Sequence, residues 1–293
     1  RGETVDGIRI ALNKSRQLGA TQLCRSLTMH RLTLHKYQRA FGASVDEDKL
    51  HELYDRDIRL LDGLPLFLQP AGWPANSGFN VKDEHISFTR LGSNILYQHS
   101  KQKSGLGQGR QFDIAHVTEV ASFEYPLELE HNLFPALPQG PLTLVPFEST
   151  PQGRGNWWHD FCTDIQSGDR TGWIYVFIPW YVEPRKYRRT PPINWQPSEV
   201  SMLHAKLVHE TSPAIVGKTV MLSKEQLYWY ETERETYRTA GTLALFYTNY
   251  SATSEESFQH SSAGAVPFEV LERMRLHTRP GIPYEVELHR RVS

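Results

Sequence analysis

The chain has 293 residues, enough to bury a large core within one or two domains. Its hydrophobic fraction of 39% suits a globular protein, and no apolar run approaches the ~20 residues that a membrane span needs, so it reads as soluble. With 32 basic against 33 acidic residues, any nucleic-acid contact must rest on a local patch; Cys24 and Cys162, far apart in a chain that shows no secretory signal, read as buried reduced thiols.

Ile8-Arg9-Ile10-Ala11-Leu12 is an apolar, strand-like run. It feeds Asn13-Lys14-Ser15-Arg16-Gln17-Leu18-Gly19-Ala20-Thr21, and a helix-like run from Gln22 to Leu34 leaves that loop. A Gly-containing turn between strand and helix points backbone N–H groups and the positive helix end at an anion. Thr21 stands where such a loop places the hydroxyl that ligates Mg²⁺. The residue before it is Ala20 rather than the usual Lys, so the cation must come from Lys14 or Arg16 at the start of the loop. Gly-Ala-Thr at a helix start also suits an ordinary helix N-terminus.

Arg39 to Ser44 reads as a short strand. Val45-Asp46-Glu47-Asp48 then opens a helix through Leu50, Leu53, Tyr54, Ile58 and Leu61, with acidic residues in its first turn. Pro65 to Phe79 is a Pro- and Gly-rich loop. His85 to Thr89 and Asn94 to Tyr97 read as a hairpin across a Leu-Gly-Ser turn, and the glycine-rich Lys101 to Arg110, with no apolar period, as mobile. Gln111 to Ala121 is a second apolar run, ending at Thr118-Glu119, where Glu119 either orients water for a hydrolase or simply caps a strand in solvent. Leu142 to Thr150 is a third, ending in Ser149 and Thr150. A helix over 156–167 and a strand from Trp173 to Ile178 follow.

Residues 180–220 are less regular: Arg185, Lys186, Arg188 and Arg189 cluster beside prolines, as a solvated connector or as a contact to a phosphate backbone. Residues 223–240 form a helix with Ser223 and Gln226 as a capping box, and Met221, Leu222, Leu227, Tyr230 and Leu243 to Phe246 are expected in the core. Alternating strands and helices predict an α/β fold with a mainly parallel central sheet flanked by helices, and strands ending in polar groups predict a P-loop NTPase (ASCE type) whose ligands gather at the carboxyl ends of the strands.

Lys14 to Thr21 resembles the variant phosphate loop of the large terminase subunits of tailed bacteriophages, the motors that package DNA into a capsid. Gly107 to Asp113 followed by His116 to Ala121 resembles the approach to their second nucleotide motif, with Thr118-Glu119 similar to the Ser–Glu pair of some members. Phe147-Glu148-Ser149-Thr150 with Gly153 to Asn156 and Trp157-Trp158 resembles their coupling motif. Val176 to Tyr181, Leu222 to Trp229 and Tyr250 to Phe258 are similar to three further segments.

The resemblance implies an ATPase domain over 1–262 and a linker or extension over 263–293 toward a nuclease domain. It implies ATP and Mg²⁺ as cofactors, hydrolysis coupled to translocation of double-stranded DNA into a procapsid, and work in the cytoplasm of an infected bacterium. Its expected partners are DNA, the portal protein, the small terminase subunit and other copies in a homo-oligomeric ring. Nucleotide binding falls to Lys14, Ser15, Gln17, Gly19, Ala20 and Thr21, with Thr21 and Thr118 on the Mg²⁺ side. Arg16 would stabilise the charge of transfer, Glu119 would orient the attacking water, Ser149 and Thr150 would sense the γ-phosphate, and Arg110 would be a finger acting on an adjacent subunit.

Two departures, Ala20 and Thr118, also permit a catalytically silent P-loop scaffold that binds portal or small subunit. After Phe258 the tail holds Glu269, Glu272, Glu285 and Glu287 but no Asp, too little for a two-metal nuclease, so the chain reads as the central ATPase part of a longer protein. A histidine-based metal hydrolase is disfavoured by spacing, since His30 and His35, like His204 and His209, stand five apart rather than three or four.

Overall fold

The computed structural model describes residues 7–70, 72–73, 85–101 and 105–258. The expected C-terminal extension, with its four glutamates, lies outside the described residues.

The first strand, β1 (Ile8–Lys14), leads through the loop to helix α1 (Ala20–Leu34). Strand β2 (Arg39–Ser44) and helix α2 (Glu47–Asp62) follow, and the Asp46 side chain caps α2 by accepting from the Lys49 amide. β3 (His85–Phe88) and β4 (Ser93–His99) form the expected hairpin. β5 (Ile114–Thr118), β6 (Leu144–Ser149), helix α3 (Trp157–Ser167) and β7 (Ile174–Ile178) complete the α/β part.

Among the described residues seven strands form one sheet in the order β3-β4-β2-β5-β6-β1-β7, and every pairing but β3–β4 is parallel. The three runs that end in polar groups are adjacent, β5 beside β6 beside β1, so Thr118, Ser149 and Lys14 close the same edge of the sheet. All residues of β5 and β6 are buried, as strands covered on both faces must be. Side chains alternate between the faces. Leu144 and Ile114 join Met29, Leu32, Leu50 and Leu61 under α1 and α2. Val145, Phe147, Ala115 and Val117 join Trp158, Phe161 and Cys162 under α3. The alternation therefore sends His116 and Glu148 to the α1 face, among charged groups.

The remaining helices, α4 (Glu199–Val216), α5 (Lys224–Thr239), α6 (Leu243–Asn249) and α7 (Ser254–Phe258), build an aromatic core of their own. Trp180, Tyr187, Trp229, Tyr230, Phe246 and Tyr247 are buried there, and Tyr230 stacks on His204 at 3.8 Å between centroids. The Ser223–Gln226 capping box is present at the start of α5.

Three expectations are corrected. Residues 180–220 are not all irregular: α4 is an 18-residue helix, capped by Ser198 and closed by Gly217 at φ 71°. Its buried positions are Ser201, His204, Val208 and Ser212, at helical spacing but mostly polar, so hydrophobic periodicity misses it. Leu106 is buried and the Gly107 amide donates to Gln98 Oε1 at 2.8 Å, so the end of the expected mobile segment is fastened. Met221 is 81% exposed and takes no part in the core.

Candidate functional site

The loop between β1 and α1 holds two left-handed residues, Gln17 (φ 55°) and Gly19 (φ 76°). Glycine takes that conformation freely; Gln17 is strained by it, as residues at binding loops often are. Gly19 caps α1 without a side-chain bond, and no acidic residue occupies the first helical turn. The first amides of α1 are left without a partner from the cap, at the positive end of a 15-residue helix. This end opens onto a cleft of about 750 Å³ lined by Lys14, Arg16–Thr21, the tips of β2 and β5, Thr150, and the α2 residues Lys49, Glu52 and Arg56. The cleft lies at the carboxyl ends of the strands, where an open α/β sheet binds its ligands.

Lys14 is nearly buried, and its Nζ lies 3.4 Å from Glu119 Oε1 and 3.7 Å from Glu148 Oε2. Glu119 leaves β5 in a left-handed conformation (φ 57°), which costs on the order of 1–3 kcal/mol and aims the side chain back over the loop. Ser149 is fully buried; its hydroxyl accepts from the Ala121 amide at 3.0 Å and donates to the Thr150 carbonyl, which ties the end of β6 to the turn that carries Glu119.

Of the residues expected at the site, Lys14, Arg16, Gln17, Gly19, Ala20, Thr21, Thr118, Glu119 and Thr150 line this one cleft. Ser15 does not: it is buried, and its hydroxyl donates to the Ser251 carbonyl. Arg110 is exposed and outside the cleft lining. The cationic cluster is more than a solvated connector. Lys186 Nζ donates to the Gln17 carbonyl at 2.9 Å, the Tyr187 hydroxyl donates to the Arg16 carbonyl, and Arg189 donates to Thr232 Oγ1, while Arg185 and Arg188 are exposed. The helical unit therefore grips the loop through its carbonyls, and the Arg16 amide donates to the Asn249 carbonyl at 2.9 Å.

Behind Lys14 stand groups to which the sequence motifs assign no role. Glu148 is fully buried; its Oε1 accepts from His116 Nε2 at 3.2 Å, and His116 Nδ1 faces Arg25 NH1 at 3.4 Å. Arg25 in turn makes a double contact to Asp57, which also accepts from the Tyr97 hydroxyl at 2.5 Å. Gly42 leaves the room for this stack, since a Cβ there would stand 3.1 Å from the Tyr97 ring and 3.4 Å from Arg25. Burial pushes the Glu148 carboxyl up, but the His116 hydrogen bond, the Lys14 charge and the Thr21 hydroxyl outweigh it and bring it down to about 2. Burial lowers His116, consistent with a neutral ring that donates from Nε2 and accepts at Nδ1. The signal was available in Phe147-Glu148: a carboxylate inside an apolar strand demands partners.

Among the described residues, no helix is long and apolar enough to cross a membrane. No family model matches the chain, and no curated protein does. Its fold is shared by solved structures, two of them phage large terminases. The large terminase ATPase domain of Thermus phage P74-26 aligns at TM-score 0.52 and 14% identity, over 83% of this chain and 87% of that one. The large terminase of bacteriophage HK97 aligns at TM-score 0.56 and 9% identity, over 84% of this chain and 47% of that one. The chain thus has the P-loop fold of the ATPase domain of phage large terminases, in agreement with the resemblance carried by its motifs.

Proposed function

We propose that this chain is the ATPase part of a viral DNA-packaging motor, which hydrolyses ATP to translocate double-stranded DNA into a procapsid. The observation that carries the reading is the gathering of Lys14, Thr21 and Glu119 around an uncapped helix start, in one cleft at the carboxyl edge of a terminase-like sheet. Amides around Gly19 cradle the phosphates, and Lys14 supplies the charge that Ala20 does not. A polyphosphate competes with Glu119 for Lys14, and a Glu119 released from that pair orients the attacking water. Arg16 stabilises the charge that develops on transfer, and Thr150 reports the γ-phosphate through Ser149 to the turn of Glu119. The oxygens of Thr21 and Thr118 are the hard donors that suit Mg²⁺, which when bound draws charge from the phosphates. Arg185 and Arg188 are the candidates for a DNA backbone contact, and Arg110 for a finger acting on a neighbour in a ring. Portal protein and small terminase subunit are the partners this reading expects.

Steady-state ATP hydrolysis with Mg²⁺, with and without linear duplex DNA, tests it beside a Glu119→Ala control. Turnover that falls by about 10²–10⁴-fold in the variant, the usual share of a positioned acid–base group, is the expected result. Equal turnover in both removes Glu119 from the mechanism. Nucleotide binding with no turnover, alone or on DNA, favours the silent scaffold, a reading to which Ala20 and Thr118 contribute.

A further inference from the structure

The acid missing at Thr118 is present one strand away. Thr118 and Glu148 are Cα partners in the β5–β6 ladder, so the two residues stand at the same height at the edge of the sheet. Both belong to the face that α1 covers, by the alternation that puts Ile114 and Leu144 in the core under α1 and α2.

Glu148 carries an unexplained feature. Its side chain is fully buried; Oε1 is bound by His116 and the Thr21 hydroxyl is near enough to favour the charged form, but Oε2 has no partner in hydrogen-bond geometry within the chain. The nearest charge to Oε2 is Lys14 Nζ at 3.7 Å. Buried carboxylate oxygens are almost always satisfied, so an orphan beside a phosphate loop points to a missing ligand. Oε1 is held from behind by His116, which Arg25 supports at its other nitrogen and Asp57 supports through Arg25, an arrangement that orients a ligating group.

We infer that Glu148 is the metal-side acid of this site, supplying from β6 the carboxylate that Thr118 does not supply on β5, with Oε2 the atom offered to the divalent cation of a bound nucleotide or to one of its waters. His116 is its positioning residue. Lys14 balances the Glu148 charge in the structure, and the cation balances it once Lys14 turns to phosphate. The inference rests on the ATPase reading and adds to it a residue outside the expected motif pair.

The test measures metal rather than turnover. A fluorescent ADP analogue is first titrated without metal, and Mn²⁺ is then titrated into the ADP complex and followed by electron paramagnetic resonance. Glu148→Gln should keep metal-free nucleotide binding and weaken Mn²⁺ about 10–100-fold, the usual loss for such a partner. Thr118→Asp/Glu148→Gln should recover most of that loss, because the carboxylate returns at the same height. Wild-type Mn²⁺ affinity in Glu148→Gln overturns the inference and leaves Glu148 a structural partner of His116. If Glu148→Gln does not fold, Glu148→Asp, which keeps the charge and draws the oxygens back, is read instead; unchanged Mn²⁺ affinity there overturns it equally. A wild-type chain that binds the analogue but no Mn²⁺ overturns this inference alone, whereas one that binds no nucleotide overturns the ATPase reading with it.

Discussion

Asp57→Ala is expected to destabilise the fold more than the removal of any surface charge, because of what it leaves behind. Arg25 and Asp57 are both fully buried; Arg25 Nε donates to Asp57 Oδ1 at 2.9 Å, and the other guanidinium arm and the Tyr97 hydroxyl share Oδ2. Truncating the carboxylate strands a guanidinium that cannot lose its charge and a phenol without an acceptor. Breaking a buried pair from one side costs about 3–5 kcal/mol. At roughly 2–4 °C per kcal/mol for a domain of this size, the melting temperature falls by about 6–20 °C. Urea unfolding followed by tryptophan fluorescence at pH 7 measures the loss, read at equal slope. The exposed Lys49–Glu52 pair, with side chains 52% and 56% exposed, is the control: Lys49→Ala should move stability by no more than about 0.5 kcal/mol. The triple variant Arg25→Met/Asp57→Leu/Tyr97→Phe, which removes every stranded group, should recover most of the loss. A cost below about 1 kcal/mol for Asp57→Ala would refute the reasoning, since it would mean that water reaches the pair.

Two further outcomes are expected. Lys14→Ala should abolish nucleotide turnover while Lys36→Ala, exposed just beyond the C-terminal end of α1, should not; equal activity in both would remove Lys14 from the phosphate site. Stability should fall as pH drops below about 6.5, because burial, aided by Arg234, lowers His204 to about 3. The sign follows from proton uptake: the unfolded chain binds this proton near pH 6.5 and the folded chain only near pH 3, so the contribution is complete above 6.5 and is lost progressively down to about 3. His204 Nε2 accepts from Trp180 Nε1 at 3.2 Å, which protonation forbids. Comparing urea midpoints at pH 7 and pH 5 checks it, and His204→Gln should flatten the dependence; an unchanged slope in that variant would assign it elsewhere.

Local pattern in the sequence determined much of this protein. The loop from Lys14 to Thr21, the acidic opening of α2, the Ser223–Gln226 box and the β3–β4 hairpin each rest on neighbours within a few residues, and each appears where the sequence puts it. The three apolar runs ending in polar residues announced an α/β edge site, and they stand side by side. Helix α4 escaped because three of its four buried positions are Ser, His and Ser, whose burial depends on the aromatic core packed against it rather than on hydropathy. The cationic run at 185–189 escaped because a carbonyl of the phosphate loop, some 170 residues earlier in the chain, binds Lys186. Glu148 is the sharpest case. Its residue type was visible, but its place beside Thr118 comes from the lateral register of two strands separated by 25 residues of connection, and its charge state from Lys14, His116 and Thr21 on three other elements. Side-chain period and capping are encoded within a helix turn or a strand; which carboxylate faces which cation is settled only when the sheet closes and water is excluded from between them.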